Sequence, residues 1–222
     1  MGRGAPVWLM LMAGPVLFVL AIIAVSVWVG AQGIPPEQIG AVVPLYAPHI
    51  LLGVLAALAV LVLWRLPMRQ LWAWPEGSRP AGDAALGALV GVALAVAYLS
   101  VLAPAMTILQ RDIGDYVPPG SVLAAVSGNL WLFLVANVLL APWVEETIYR
   151  GHAMTRVSAR AVVLSCLAFG ALHWTGGLWY MVLTALVAGG AFAALRVARG
   201  GLMAPFAAHL TLNLIEFGWA AS

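Results

Sequence analysis

The spacing of apolar runs constrains the fold of this chain more than any other feature. Runs of about twenty apolar residues, the length needed to cross a bilayer as a helix, alternate with short polar loops. Hydrophobic residues make up 64% of the chain and charged residues 8%, whereas a soluble domain has about a quarter charged residues. The sequence therefore predicts an all-α, polytopic transmembrane helix bundle.

The number of apolar runs indicates a single integral membrane domain over residues 1–222. About seven spans, with eight helices as the alternative, use nearly all of the 222 residues and leave no room for a separate soluble domain. The first run is too long for a signal-peptide core and reads as a retained span. The predicted spans cover approximately residues 6–29, 42–64, 84–109, 122–145, 161–174, 178–195 and 202–219.

The ten basic residues, all of them arginine, predict the orientation of the bundle. Cytoplasmic loops of membrane proteins are enriched in basic residues, and a cytoplasmic N-terminus places nine of the ten arginines on that side. This pattern sets topology and gives no indication of nucleic-acid binding. Arg111 falls on the outer side with Glu37, Asp112, Asp115 and Glu216, and the cytoplasmic arginines are Arg3, Arg65, Arg69, Arg79, Arg150, Arg156, Arg160, Arg196 and Arg199.

Two adjacent glutamates near the end of the fourth span differ in their expected surroundings. Glu146 and Arg150 are four residues apart with the acid first, which favours an ion pair on one helix face. Glu145 points about 100° away from Glu146 on a helix of 3.6 residues per turn and lacks that partner. Because ionisable groups at membrane depth are costly and usually functional, we expect Glu145 to be a base.

Other polar residues of the second half recur at helical spacing. Phe169 and His173 are four residues apart, as are His209 and Asn213, so each pair shares a helix face. Counting residues from the nearest cytoplasmic arginine places Glu145 and these polar groups at depths of about 15 to 21 Å. The sequence thus predicts one polar chamber, slightly nearer the cytoplasmic side, that could receive side chains from three helices.

The residue types in this chamber suit hydrolysis. A carboxylate in a low-dielectric site can work as a base near neutral pH, and a neighbouring imidazole can hold the water that it deprotonates. Histidine and asparagine donors can stabilise the oxyanion that forms when water attacks a carbonyl.

The three motifs resemble those of a known family. Glu145-Glu146-x-x-x-Arg150, Phe169-x-x-x-His173 and His209-x-x-x-Asn213 are similar, in order and spacing, to the motifs of the CAAX-protease and bacteriocin-processing family, which includes the Ras-converting type of CAAX prenyl endopeptidase. The resemblance covers a core of about residues 122–219, and the first three spans match in hydropathy alone.

The resemblance implies a glutamate-type intramembrane peptidase that needs no metal or other cofactor. Glu145 and His173 would activate the water, and His209 and Asn213 would form the oxyanion hole. Glu146 and Arg150 would support the site, and Phe169 is expected to pack against it without a chemical role. The implied substrate is a membrane-anchored or lipid-modified protein, cut near its C-terminus.

Other interpretations of the same residues stay open. Glu145, His173 and His209 could supply three ligands to zinc in a zinc-dependent hydrolase, although the chain lacks the His-Glu-x-x-His spacing of zincins. His209 and Asn213 could instead join helices through hydrogen bonds. A non-catalytic membrane protein of the same fold, such as an immunity factor or scaffold, is the third alternative.

Composition suggests where the protein resides. The absence of lysine and the abundance of Ala, Val, Leu and Gly hint at a GC-rich bacterial genome. The expected location is a bacterial cytoplasmic membrane, with the active site open towards its cytoplasmic half. The sequence specifies neither the oligomeric state nor whether the substrate is a prenylated C-terminus, a bacteriocin leader or a C-terminal sorting tail.

Overall fold

The computed structural model describes residues 6–114 and 129–220, and this part of the chain is helical with no strand. The all-α prediction is therefore confirmed. Arg3, Asp115 and the beginning of the predicted fourth span, residues 122–128, lie outside the described residues. The long helices are α1 (Val7–Ala31), α2 (Pro36–Arg65), α3 (Pro80–Asp112), α4 (Leu130–His152), α5 (Ala159–Leu172), α6 (Leu178–Arg199) and α7 (Met203–Ala220).

The helices have the length and surface of membrane spans. Five of the helices in the described residues, α1 to α4 and α6, are long and apolar enough to cross a membrane. On α1, side chains such as Leu20, Ile23 and Val27 are more than half exposed, as expected of a helix that faces lipid. Helix α5 is shorter, and α7 carries the polar residues His209, Asn213 and Glu216. The chain is an integral membrane protein; seven crossings and a cytoplasmic N-terminus stay predictions.

Helix α3 packs tightly against α7. Gly87 and Gly91 lie four residues apart on α3, and a Cβ added to either would overlap a backbone carbonyl oxygen of α7, that of Ala204 or Ala208 respectively. Small residues at this spacing let the backbones of membrane helices approach closely. Because Ala208 directly precedes His209, this contact fixes the backbone that presents the imidazole.

Helices α1 and α2 support α4 and α5 through an apolar core. Leu58 of α2 and Tyr149 of α4 are fully buried in it. Gly14 of α1 lies so close to α5 that an added Cβ would be 2.5 Å from Leu172 Cδ1. The first two helices therefore pack behind the helix that carries both glutamates.

Helix α4 is not a regular α-helix along its whole length. The residues Leu134–Leu140 and Glu146–His152 have the wider π-helical turn, in which each N–H bonds the carbonyl five residues earlier. The Ala141 N–H bonds the Ala136 carbonyl in this way. The next N–H in that register would belong to Pro142, which has none, so the Asn137 carbonyl is left without its helical donor.

The turn between α6 and α7 is held from the side of α3. Gly200 has φ of 70°, a left-handed conformation that glycine adopts without steric cost. Arg199, directly before it, donates from Nε to Asp83 Oδ1 at 2.6 Å. Asp83 is 4% exposed and lies in the first turn of α3, so the ion pair joins the beginning of α3 to the end of α6.

Candidate active site

A buried cluster joins helices α4, α6 and α7 around Glu146. Its Oε1 accepts hydrogen bonds from Arg150 Nη1 at 3.4 Å and from His209 Nδ1 at 2.9 Å. Arg150 also donates from Nη2 to the Gly189 carbonyl at 3.1 Å. Glu146 and Arg150 are completely buried. The ion pair predicted from the four-residue spacing is present, and it also holds the imidazole of His209.

The neighbouring carboxylate, that of Glu145, has different surroundings. It is 4% exposed, and its Oε2 has no hydrogen-bond partner among the described residues. The nearest basic atom recorded is His209 Nε2, at 3.9 Å, which is beyond direct hydrogen-bond distance. Glu146 Oε2 and Arg150 Nε are also unpaired, but their side chains have other partners. Glu145 is thus a buried acid whose Oε2 forms no hydrogen bond with any described residue.

The two histidines use the same ring nitrogen, Nδ1, for a hydrogen bond within the protein. His173 follows the last residue of α5, and its Nδ1 lies 2.8 Å from the Phe169 carbonyl oxygen. A carbonyl accepts only, so Nδ1 carries the hydrogen of this bond. Likewise, the His209 Nδ1 donates to an ionised Glu146 carboxylate. In each neutral ring, Nε2 is therefore free to accept a hydrogen bond.

Asn213 bonds to the irregular part of α4. Its Nδ2 donates to the Asn137 carbonyl at 2.7 Å, the group that Pro142 leaves without a helical partner. This hydrogen bond joins α7 to α4, as the helix-joining interpretation of Asn213 expects. An amide NH₂ has two hydrogens, so the bond leaves the second available.

The ring of Phe169 lies at the centre of the site. The Arg150 guanidinium carbon is 4.2 Å from its centroid, within the range of a cation–π contact. Its centroid is 4.8 Å from that of His173 and 5.7 Å from that of His209. Phe192 stacks against the His209 ring, with the centroids 4.8 Å apart and 24° between the planes. The sequence analysis did not identify Phe192, which no motif marks.

A cavity of about 50 Å³ lies beside this cluster. His173, His209 and Asn213 line it. Glu145 is not among the described lining residues, but its Oε2 lies 3.9 Å from His209 Nε2. About 10 to 15 Å³ of such space is enough for one water, so the cavity has room for water. Glu216, which the sequence analysis placed on the outer side, also lines the cavity. The His209, Asn213, Glu216 spacing, which places all three on one helix face, is a signal that could have found it.

A metal site is not assembled in the described part of the chain. No three His, Cys, Asp or Glu side chains of residues 6–114 and 129–220 form a group that could hold a metal ion. The zinc interpretation proposed Glu145, His173 and His209 as ligands, and the bond from His209 Nδ1 to Glu146 leaves Nε2 as the ring atom that could bind a metal. Zinc chemistry stays a hypothesis for measurement.

Comparison with known proteins agrees with the position of this site. Residues 127–215 match the family model of the type II CAAX prenyl endopeptidase Rce1-like proteins. The matched segment contains all of the predicted site residues, which are Glu145, Glu146, Arg150, Phe169, His173, His209 and Asn213. No curated protein and no solved structure matches the chain. The match confirms the family resemblance over this segment and supports a membrane endopeptidase in general.

Proposed function

From its Rce1-like segment over residues 127–215, we infer that this protein is a glutamate-type intramembrane endopeptidase. It hydrolyses a peptide bond near the membrane-anchored or lipid-modified C-terminus of a protein. The observation that carries this proposal is the contrast between two adjacent acids. Glu146 is bonded to Arg150 and His209, whereas the buried Glu145 has an oxygen without a hydrogen-bond partner among the described residues.

In the proposed reaction, Glu145 takes a proton from the attacking water. The water lies where the cavity meets the His209 ring, within reach of Glu145, whose Oε2 is 3.9 Å from His209 Nε2. His173 presents an unprotonated Nε2 in its neutral form and accepts the second hydrogen of the water, which orients the oxygen lone pair. A positioned base of this kind contributes about 10²- to 10⁴-fold to a rate.

His209 and Asn213 stabilise the oxyanion that follows attack. Asn213 supplies the amide hydrogen that is not donated to the Asn137 carbonyl. His209 supplies a hydrogen from Nε2 when the ring is protonated, a form whose positive charge is opposite to that of the carboxylates on both sides of it. The proton taken from water then passes to the leaving amine, so one water is consumed and one peptide bond is cleaved.

The remaining residues hold this arrangement in place. Glu146 fixes the orientation of the His209 ring through Nδ1, and Arg150 balances the charge of Glu146 from the same helix. Phe169 contacts Arg150 and both imidazoles with its ring. Their role is to position the groups that touch water and substrate.

The test compares the termini of membrane proteins in cells that carry the native chain or Glu145→Gln at equal abundance. Mass spectrometry is expected to find a small set of proteins whose C-terminal segments stay uncut in the variant alone. Glu37→Gln is the matched control, since Glu37 is an exposed glutamate near the beginning of α2. If cleavage continues with Glu145→Gln, Glu145 is not the base. If the native chain produces no cuts, the non-catalytic interpretation replaces this one.

A second measurement distinguishes the zinc-dependent mechanism from the glutamate-type mechanism. Metal analysis of the purified chain and activity after treatment with a tight-binding chelator distinguish the two mechanisms. A glutamate-type enzyme keeps its activity after chelation, whereas a zinc enzyme loses it and regains it when zinc is added.

The proposal retains the predicted setting, a bacterial cytoplasmic membrane with the N-terminus inside. Cys166 is the single cysteine of the chain, so a Cys166→Ser background allows topology to be measured. Cysteines placed at Glu37 and at Arg156 are then labelled with a membrane-impermeant thiol reagent in intact cells. Labelling of the Glu37 position alone is expected. Labelling of the Arg156 position instead would show that the orientation is the opposite of the predicted one.

A further inference from the structure

The cavity beside the histidines has a second polar end, formed by Glu216, Tyr98 and Tyr180. Glu216 is three residues beyond Asn213 on α7 and seven beyond His209, a spacing that keeps all three on one helix face. At 1.5 Å per residue, its backbone lies about 10 Å along the helix from that of His209. The acid therefore shares the cavity of the proposed reaction without belonging to the reacting cluster.

Two tyrosine rings accompany this carboxylate. The centroids of Tyr98, on α3, and Tyr180, on α6, are 6.3 Å apart with 71° between their planes. Tyr180 also lies 5.9 Å from the ring of His173. A row of aromatic rings thus leads from the Glu216 end of the cavity to the imidazole that would hold the water.

The charge of Glu216 is not balanced inside the protein. No arginine lines the cavity, and within residues 6–114 and 129–220 no ion pair to this carboxylate is formed. Glu216 is half-buried, and a carboxylate placed among apolar side chains without a partner is costly. Both a negative charge and the faces of aromatic rings attract a cation, so the three side chains suit the same kind of ligand.

We propose that Glu216, Tyr98 and Tyr180 form a subsite that binds an ammonium or guanidinium group of the substrate. The inference rests on the proposed peptidase function and deepens it. It assigns a substrate whose basic side chain lies within a few residues of the cleaved bond. An acidic side chain or a free C-terminal carboxylate at that place is rejected by the charge of Glu216.

The test measures binding separately from cleavage. The full chain carrying Glu145→Gln, which blocks the proposed reaction, is placed in lipid nanodiscs. A series of acyl-anchored hexapeptides is titrated against it. Each peptide carries Lys, Gln or Glu at one position, and that position is moved along the peptide one residue at a time. We expect one position at which the Lys peptide binds about tenfold tighter than the Glu peptide, a ratio that corresponds to about 1.4 kcal/mol.

Removing the charge of Glu216 is expected to abolish this preference. With Glu216→Gln added, the ratio at that position falls to about one, and with Glu37→Gln added as the matched control it stays near ten. Tyr98→Leu gives a second variant if Glu216→Gln does not fold, and it lowers the ratio about threefold through the loss of one ring. An equal ratio with and without Glu216, or no charge preference at any position, overturns the subsite.

Cleavage of the same peptides by the chain with Glu145 intact separates the two proposals. Binding with a Glu216-dependent Lys preference but without cleavage overturns the peptidase function and leaves the cation subsite in place. Cleavage whose charge preference does not change with Glu216→Gln overturns the subsite and leaves the peptidase function in place.

Discussion

The two halves of the chain differ in where they keep their polar groups. Among the described residues, helices α1 to α3 bury a single charged side chain, that of Asp83, whereas α4 to α7 bury Glu145, Glu146 and Arg150. The family model matches residues 127–215 and none of the first half. The recognisable motifs and most of the buried polar groups thus lie in the same half.

The first half nevertheless contacts the site at defined points. Gly87 and Gly91 bring α3 against the backbone that precedes His209. In the loop after α2, Trp72 donates from Nε1 to Thr147 Oγ1 at 3.0 Å, next to Glu146. The comparison suggests that the second half supplies reactive groups and the first half fixes their positions, a division that mutations can test.

The largest expected effect is that of Glu145→Gln. Hydrolysis should fall about 10³-fold, because the amide cannot take a proton from water. The free energy of unfolding should change little, since no hydrogen bond to Glu145 Oε2 is lost. Turnover of the substrate found by terminal-peptide analysis and thermal unfolding in detergent measure the two quantities. Retained turnover would contradict the proposed role.

The adjacent substitution, Glu146→Gln, should act mainly on stability. It leaves the buried Arg150 without its counter-charge, and breaking a buried pair costs about 3 kcal/mol or more. The expected result is a lower thermal midpoint together with lost turnover, whereas Glu145→Gln changes turnover alone. Equal thermal midpoints for the two variants would show that the acids do not differ as the structure indicates.

Gly91→Ala tests whether the first half positions the second. The new Cβ would overlap the Ala208 carbonyl oxygen, so α3 and α7 must separate and His209 must move. A displacement of about 1 Å at a reacting group can cost about 10²-fold in rate. Turnover is compared with that of Gly53→Ala on α2, where a Cβ meets nothing within 4 Å. An unchanged rate for Gly91→Ala would remove the positioning role of α3.

The smallest effect is expected for Asp83→Asn. The substitution removes the charge that pairs with Arg199 at the ends of α3 and α6, and because the arginine side chain is 39% exposed the loss should be about 1 kcal/mol. Asp112→Asn, in the exposed pair with Arg111, is the control and should leave the thermal midpoint unchanged. A larger effect at Asp112 than at Asp83 would contradict the ranking.

Local spacing predicted those features that depend on one helix. The pairing of Glu146 with Arg150 follows from helix geometry alone, as does the separate environment of Glu145. The helical class follows from hydropathy, and the structure's long helices lie close to the predicted spans. The roles of the site residues and the number of membrane crossings stay predictions.

Features that depend on irregular backbone or on contacts between helices could not be predicted in this way. The Asn213 bond to Asn137 requires a π-helical turn ahead of Pro142, and a hydropathy pattern does not show that register. Phe192 contacts His209 because α6 and α7 pack together, which no spacing within either helix indicates. Glu216 was grouped with the outer acidic residues by the predicted topology, which did not use the spacing that places it on the same helix face as His209.

Side chains of other helices donate hydrogen bonds to backbone carbonyls in the last turns of α4, the end that the sequence predicts to lie nearer the cytoplasm. Ser165 donates to the Tyr149 carbonyl at 2.7 Å, and Arg196 donates to the Arg150 carbonyl at 3.0 Å. Helix ends commonly fray through local opening of low free energy. Here an opening would also break contacts to α5 and α6. Amide hydrogen exchange of Ala153, whose N–H bonds the Ile148 carbonyl, should therefore be as slow as exchange in the middle of the helix.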